Sequence, residues 1–197
     1  MELIDAHTHI TSDDLKDYLE DVRRAKNAGV KRAMLVATEE KEVEQFKELK
    51  NLDFFDMAYG LFPGDVDINY KERLKEIKQS HESFNFKALG EIGLDYHYEG
   101  VAKNLQKEAF IAQIEMANEL KKPVFIHTRD ASLDTLNILK AHTPKYGCMM
   151  HCFSESRELA KEYVKLGFYI SFSGTITFKN NRRAKESVLE VPLDRLL

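Results

Sequence analysis

Short apolar runs alternate with segments of helical periodicity along the chain. The first helix is predicted from apolar residues at helical spacing, which are Leu15, Tyr18, Leu19, Val22 and Ala25. Ser12 precedes this stripe as an N-cap, and Gly29 follows it as a C-terminal cap. Similar patterns predict further helices over about 42–49, 104–120 and 156–166.

Seven strands are predicted between the helical segments. In order, they are LIDAHTHI, VKRAMLVAT, DMAYGLFP, FKALGEIGLDY, KKPVFIHTRD, YGCMMHCF and GFYISFSG. Short apolar strands separated by helices pair in parallel through right-handed crossovers, so the chain is predicted to be an α/β protein. No glycine-rich phosphate-binding loop follows the first strand, which favours a parallel TIM-type barrel over an open doubly wound sheet. We expect one domain over residues 1–197.

The first strand ends with two histidines that are one residue apart. Side chains of a strand alternate between its faces, so His7 and His9 are expected to point the same way, together with Asp5. Imidazole nitrogens on one face are natural ligands of Zn, Mn and similar ions. The alternative is a pair of polar residues at a strand end, each hydrogen-bonded to a neighbour.

Three later strands carry the same kinds of residue. Glu91 lies in the fourth strand, and His127 and His151 end the fifth and sixth, where TIM barrels build their active sites. A buried glutamate is costly unless it is paired or bound to a cation. Four histidines and a glutamate exceed the three protein ligands of a common catalytic zinc site, which suggests two ions with Glu91 as the bridging, catalytic carboxylate. Paired ions suit hydrolysis, particularly of phosphoesters.

The overall composition excludes some classes of function, among them proteins that bind duplex DNA by charge alone. Hydrophobic residues make up 43% and charged residues 31% of the chain, as in an ordinary soluble globular protein. The net charge of −4 excludes a basic field that holds duplex DNA by charge alone. With no membrane span or signal peptide in the sequence and two cysteines outside any disulfide framework, we expect a cytoplasmic protein with no membrane partner.

Five segments together resemble one known family. DAHTH, GEIGLDY, PVFIHTRDA, MMHCFS and YISFSGTITFKN occur in the order found in the TatD family of metal-dependent deoxyribonucleases, within the amidohydrolase-like barrels. The resemblance runs from residue 3 to the C-terminus. It implies two divalent ions (Mg, Mn or Zn) and cleavage of phosphodiester bonds of DNA, in single strands or at strand ends. The metal ligands that it implies are His7, His9, Glu91, His127 and His151.

Three residues near these strand ends are candidates for substrate binding. Arg129 could hold a phosphate as a bidentate donor, or form a salt bridge with Asp130 or Asp95. Asp95 and Tyr96 follow the fourth strand on the same face and are expected to line the pocket. The remaining histidines lie outside the strand ends, and of these His81 and His142 are expected on the surface.

The C-terminal segment VPLDRLL departs from the family pattern. The resemblance implies that an acidic eighth-strand motif follows, with an Asp that completes the first metal site. We therefore expect an incomplete barrel of about seven strands plus the start of the eighth, with weaker metal binding at His7 and His9. Residues 3–10 and 168–173 are expected to present unpaired backbone to a second chain, to the C-terminal residues or to solvent.

Two other functions use the same ligands. A related barrel hydrolase would act on a small ester, lactone or amide, or on a small phosphoester in place of DNA. A catalytically silent metal-binding protein would keep the ions without turnover. Assays with oligonucleotides and a small-ester panel, together with metal analysis, separate these alternatives.

Overall fold

The computed structural model describes residues 2–9, 15–49, 51–97 and 100–197, and the side chains of residues 15 and 16 are not among the described parts. The predicted N-cap at Ser12 lies outside these ranges. The helices are α1 (Leu15–Asn27), α2 (Glu40–Leu49), α3 (Tyr70–Ser83), α4 (Lys103–Leu120), α5 (Ser132–Ala141), α6 (Arg157–Lys165) and α7 (Arg182–Val188). The four helices predicted individually correspond to α1, α2, α4 and α6.

Each predicted strand segment overlaps one observed strand. The strands are β1 (Leu3–Thr8), β2 (Val30–Ala37), β3 (Phe55–Tyr59), β4 (Leu89–Asp95), β5 (Val124–Arg129), β6 (Cys148–Met150) and β7 (Tyr169–Ile170). All paired strands are parallel, in the orders β1-β2-β3 and β4-β5-β6-β7. A parallel bridge between Ala58 and Ala88 joins the two sheets. The strand order thus follows the sequence, which is the arrangement of the predicted TIM-type barrel.

The core has two layers on either side of the strands. The inner layer contains Val36, Ala58, Ala88, Phe125 and Met149, which come from consecutive strands and their immediate neighbours and pack together. The outer layer lies between the strands and the helices, where Phe110 and Ile114 of α4 are fully buried. All seven residues of β4 are buried, as expected for a barrel strand covered on both faces. Glu91 is in the middle of this strand.

The two sides of the predicted open edge differ. On the β7 side, Ile170 forms a parallel bridge with Leu196, and the Phe172 amide donates to the Leu197 carbonyl at 3.1 Å. The C-terminal residues therefore begin the expected eighth strand and cover the β7 side, which is one of the three outcomes expected for residues 168–173. On the β1 side, Leu3 and Ile4 are 40% and 71% exposed. Within the described residues, β1 has β2 as its paired strand and no ladder to the segment around Leu196.

His81 is buried, so its predicted surface position is wrong. Its Nε2 donates to the carbonyl oxygen of Tyr59 at 2.9 Å, which fastens α3 to the end of β3. Burial lowers the pKa of His81 to about 4, so the ring is neutral near pH 7. His142 is half-exposed near the carboxylate of Glu115, as a histidine at the surface should be.

Candidate metal centre

The five candidate ligands come together at the C-terminal ends of the strands. His7 lies in β1 with His9 just beyond it, Glu91 in β4 and His127 in β5, while His151 follows β6 directly. Four of these ligands line one cavity, and the fifth, His7, lies behind them in contact with His9, Glu91 and His151. The described residues lining this cavity are His9, Thr38, Glu42, Phe62, Glu91, His127, His151 and Cys152.

The closest ligand group is formed by His7, His9 and Glu91. The Nε2 atoms of the two histidines are 3.0 Å apart, and each lies 3.7 Å from Oε2 of Glu91. Among the described residues, this is the one group of three whose ligand atoms all lie within 4.8 Å of one another. The pairing of β1 with β2 has a register shift between Asp5 and Thr8, so strict alternation does not hold there. The Asp5 carboxylate accepts a hydrogen bond from the backbone amide of His7.

The backbone fixes the ring orientation of His9. Its Nδ1 lies 2.9 Å from the carbonyl oxygen of Val36. Because a carbonyl only accepts, Nδ1 carries the proton and the lone pair of the neutral ring is on Nε2, facing His7 and Glu91. A donor bond of this kind to a carbonyl is typical of metal-bound histidines.

His127 and His151 complete the cluster around Glu91. His127 Nδ1 lies 3.0 Å from Oε1 of Glu91, the oxygen not facing His7 and His9. His151 stacks on His7 with the ring centroids 3.4 Å apart. The two carboxylate oxygens of Glu91 therefore face different histidines, as a bridging carboxylate requires.

Two glycines allow β4 and β5 to approach closely enough for this contact. A Cβ on Gly90 would lie 2.7 Å from Cβ of Phe125. Gly93 has φ of +140°, and a Cβ there would lie 2.0 Å from the carbonyl oxygen of His127. Side chains at these positions would push the strands apart and separate Glu91 from His127.

The protonation states suit metal ligation. Burial, reinforced by the nearby charge of His151, lowers the pKa of His7 to about 3, and burial lowers that of His151 to about 4. Burial opposes ionisation of Glu91, but the hydrogen bond from His127 and the surrounding imidazoles outweigh it and lower its pKa to about 2. Near neutral pH the centre thus holds a carboxylate at Glu91 and neutral rings at His7 and His151, the forms in which these residues bind metals. Burial opposes protonation of His127, but its hydrogen bonds to Glu91 and Asp95 outweigh burial and raise its pKa, so a cation bound there would displace a proton.

An unpartnered nitrogen atom also favours a bound cation. Nδ1 of His151, a residue that lines the cavity, is buried and has no hydrogen-bond partner. A buried polar atom without a partner costs free energy, whereas coordination of a cation would give this nitrogen a partner. The residues present therefore fit one or more divalent ions.

Asp95 is turned toward His127 and is almost fully buried. Its Oδ2 lies 3.0 Å from His127 Nε2, and its Oδ1 accepts from the backbone amide of His97 at 2.9 Å. The side chain of Gln106 bonds both the amide and the carbonyl of Asp95, at 2.8 and 2.7 Å. Asp95 is 4% exposed, so this geometry indicates that it orients His127, a role different from the predicted contact with substrate.

Tyr96 and Arg129 lie away from the cavity that the ligands line. The Tyr96 hydroxyl donates to Asp134 of α5 at 2.8 Å, and Lys103 lies over its ring. Tyr96 is thus held between α4 and α5, outside the residues that line the ligand cavity, and its role in substrate binding stays a prediction. Arg129 lines a neighbouring polar cavity together with His97, Thr128, Asp130, Ser132, Ser154, Glu155, Ser156, Leu159 and Arg183.

Sequence reasoning missed two residues of this region. Phe62 follows β3 in the segment GLFPG and lines the cavity, although β3 contributes no metal-type ligand. The signal that could have found it is its position just beyond a strand end, the place where barrels build their sites. No sequence pattern marks Gln106, because it lies within helix α4 and its partner Asp95 lies at the end of a different element, strand β4.

Comparisons with known proteins agree with the geometry. Residues 4–197 match the sequence model of the family described as TatD related DNase. The chain is 40% identical over 198 residues to YabD of Bacillus subtilis (strain 168), covering 99% of this chain and 78% of YabD. It is 37% identical over 206 residues to YcfH of Escherichia coli (strain K12), covering 100% and 76% respectively. Both relatives are described as uncharacterised metal-dependent hydrolases.

Solved structures show the same fold. YjjV, a TatD homologue from Escherichia coli K12, superposes with a TM-score of 0.90 at 29% identity, covering 98% of this chain and 76% of that one. A TatD-family hydrolase from Entamoeba histolytica superposes with a TM-score of 0.82 at 20% identity, covering 99% and 72%. No helix among the described residues has the length and apolar character needed to cross a membrane.

Proposed function

The chain belongs to the TatD family, a family of metal-dependent hydrolases, and on that basis we propose that it hydrolyses phosphodiester bonds of DNA, in single strands or at strand ends. The observation that carries the proposal is the convergence of four histidines on the buried carboxylate of Glu91. A donor set of nitrogens around one bridging carboxylate suits two divalent ions better than one.

The ligands divide between two positions around Glu91. His7 and His9 face one of its oxygens and would hold one ion, and His127 faces the other oxygen and would hold the second with His151. Mg, Mn and Zn are the candidate ions. When bound, such a pair lowers the pKa of water and stabilises charge on the attacking and leaving oxygens of a phosphodiester.

The surrounding residues would hold and orient these ligands. The Val36 carbonyl fixes the ring of His9, and the Asp95 carboxylate fixes the ring of His127. Arg129, in the neighbouring polar cavity, is proposed to contact a phosphate farther along the strand. A protein with a net charge of −4 has no general electrostatic attraction for DNA, so it would depend on local contacts of this kind to bind the strand.

The test is a substrate comparison with the metal-loaded protein. A labelled single-stranded oligonucleotide and its duplex are compared with a panel of small phosphoesters, carboxyl esters, lactones and amides. We expect metal-dependent cleavage of the oligonucleotide, loss of cleavage in Glu91→Gln, and normal cleavage in the control His142→Ala, which changes a half-exposed histidine. Turnover of carboxyl esters, lactones or amides without any cleavage of phosphodiesters would assign the site to another reaction. Stoichiometric metal binding without turnover of any substrate would identify a silent metal-binding protein.

A further inference from the structure

Phe62 is a half-buried aromatic residue beside the candidate metal centre. Its neighbour Leu61 is fully buried in the main core, whereas Phe62 belongs to none of the apolar clusters formed by the described residues. It lines the same cavity as Glu91, His127 and His151, and it is the one residue with a benzene ring among the described residues that do so. An apolar ring placed at a polar site and outside the core calls for an explanation other than core packing.

The position of the ring is fixed from several sides. It meets His127 edge-on, with the centroids 4.9 Å apart and the planes at 69°. Gly64 makes room for it, since a Cβ there would lie 2.9 Å from Cε1 of the ring. The backbone before it is held by Gln113, whose side chain bonds both the amide and the carbonyl of Leu61, at 2.8 and 3.1 Å.

A fixed aromatic ring next to a phosphodiester-cleaving centre suits one class of ligand group. Every nucleobase has a π-face, and stacking of a base on an aromatic side chain contributes about 1–3 kcal/mol. We propose that Phe62 is the stacking platform for the nucleobase adjacent to the phosphodiester that would be cleaved at the metal centre around Glu91 and His127. This inference rests on the proposed function. It adds that the site recognises a base of the DNA strand as well as its phosphodiester.

The test uses two strands and three variants of the metal-loaded protein. One oligonucleotide carries all its bases, and the other has abasic residues on both sides of the cleaved phosphodiester. Phe62→Leu removes the aromatic face, Phe62→Tyr keeps it, and Phe178→Leu is the matched control at a phenylalanine that is 63% exposed and outside the cavity. KM and kcat are measured for cleavage, and Kd is measured by fluorescence anisotropy with metal-free protein in EDTA.

The expected result is a loss that depends on the base. Phe62→Leu should raise KM and Kd for the complete strand by about 5- to 150-fold, the ratio equivalent to 1–3 kcal/mol of stacking, and leave kcat little changed. Phe62→Tyr and Phe178→Leu should behave as the wild type, and the abasic strand should bind the wild type and Phe62→Leu equally.

The contrary results separate this inference from the proposed function. If Phe62→Leu weakens both strands equally, or lowers kcat alone, the ring serves to support His127 and the stacking role is wrong. If Phe62→Leu has no effect on a wild type that cleaves DNA, the stacking role is wrong and the proposed function stands. If the wild type neither binds nor cleaves either strand, the proposed function fails and the inference falls with it.

Discussion

At the scale of single residues, Glu91 is the one on which the account depends. A carboxylate that is 4% exposed would lose most of its hydration, and burial alone would raise its pKa. The hydrogen bond from His127 and the neighbouring rings reverse that effect, so Glu91 stays ionised. A buried carboxylate kept ionised by the imidazoles around it is an arrangement that a divalent cation would complete.

The role of Asp95 gives a prediction at this scale. Asp95→Asn removes the charge that orients His127 while keeping the size of the side chain. We expect it to lower the affinity for the ion bound by His127 by about 10- to 100-fold, the effect typical of carboxylates behind a ligating histidine. Titration calorimetry with Mn²⁺ measures this, with Asp134→Asn as the matched control on the neighbouring helix α5. Equal metal affinity in Asp95→Asn and wild type would remove the orienting role.

The sequence alone predicts some of these residues and not others, for a physical reason. The convergence of His7, His9, Glu91, His127 and His151 follows from the rule that barrel strands end on one face, although strict alternation does not hold at the end of β1. Asp95 and Tyr96 occupy similar positions in the sequence, but contacts with His127 and Asp134 direct their side chains elsewhere. Such contacts join residues more than thirty positions apart, so no local pattern contains them.

At the scale of elements, helix α4 holds the loops that carry the site. Two glutamines on one face of α4 are buried, and each bonds the amide and the carbonyl of a single residue at a strand end. Gln106 holds Asp95 at the end of β4, and Gln113 holds Leu61 after β3. These side chains satisfy backbone groups that would otherwise be buried without partners.

Replacing Gln113 tests this role of α4. Gln113→Leu fills the space but leaves the amide and carbonyl of Leu61 unpaired, so we expect it to lower the free energy of unfolding by about 2–4 kcal/mol. Urea denaturation measures the change, with Asn104→Ala, at an exposed position of α4, as the control. If Gln113→Leu were as stable as the wild type, water would have to form the hydrogen bonds to Leu61 in place of the glutamine side chain.

The contact between α3 and β3 predicts a pH dependence. The pKa of His81 is about 4 in the folded chain and about 6.5 when unfolded, so between these values the unfolded state binds more protons. The stability due to the neutral ring is complete above about pH 6.5 and is lost as the pH falls toward 4, by roughly 2–3 kcal/mol in all. His81→Gln keeps a donor for the Tyr59 carbonyl without titrating.

Denaturation curves of metal-free protein between pH 7 and pH 4 check this prediction. The wild type should lose more stability than His81→Gln over that range, because the other titrating groups are common to both proteins. An equal loss of unfolding free energy in both proteins would show that protonation of His81 does not destabilise the folded state.

At the scale of the whole molecule, the sequence predicts the order of the strands, but it does not predict which residues cover the edge between β7 and β1. Seven apolar runs separated by helices predict consecutive parallel strands, and all seven are present. The pairing of Ile170 with Leu196 agrees with the expected start of an eighth strand, but the sequence left open whether the C-terminal residues, a second chain or solvent would cover this edge, because VPLDRLL has no alternation of its own. The exposed Ile4 leaves the β1 side of the barrel as the surface where association between chains is proposed.

The metal stoichiometry of the purified protein shows whether the four histidines and Glu91 form a two-metal centre. Calorimetric titration with Mn²⁺, confirmed by elemental analysis, should give two ions per chain for the wild type and for His142→Ala. His127→Ala should lose one of these ions, and Glu91→Gln should bind both weakly, because Glu91 would be shared by the two positions. Absence of metal binding by the wild type, or unchanged binding in Glu91→Gln, would contradict the account.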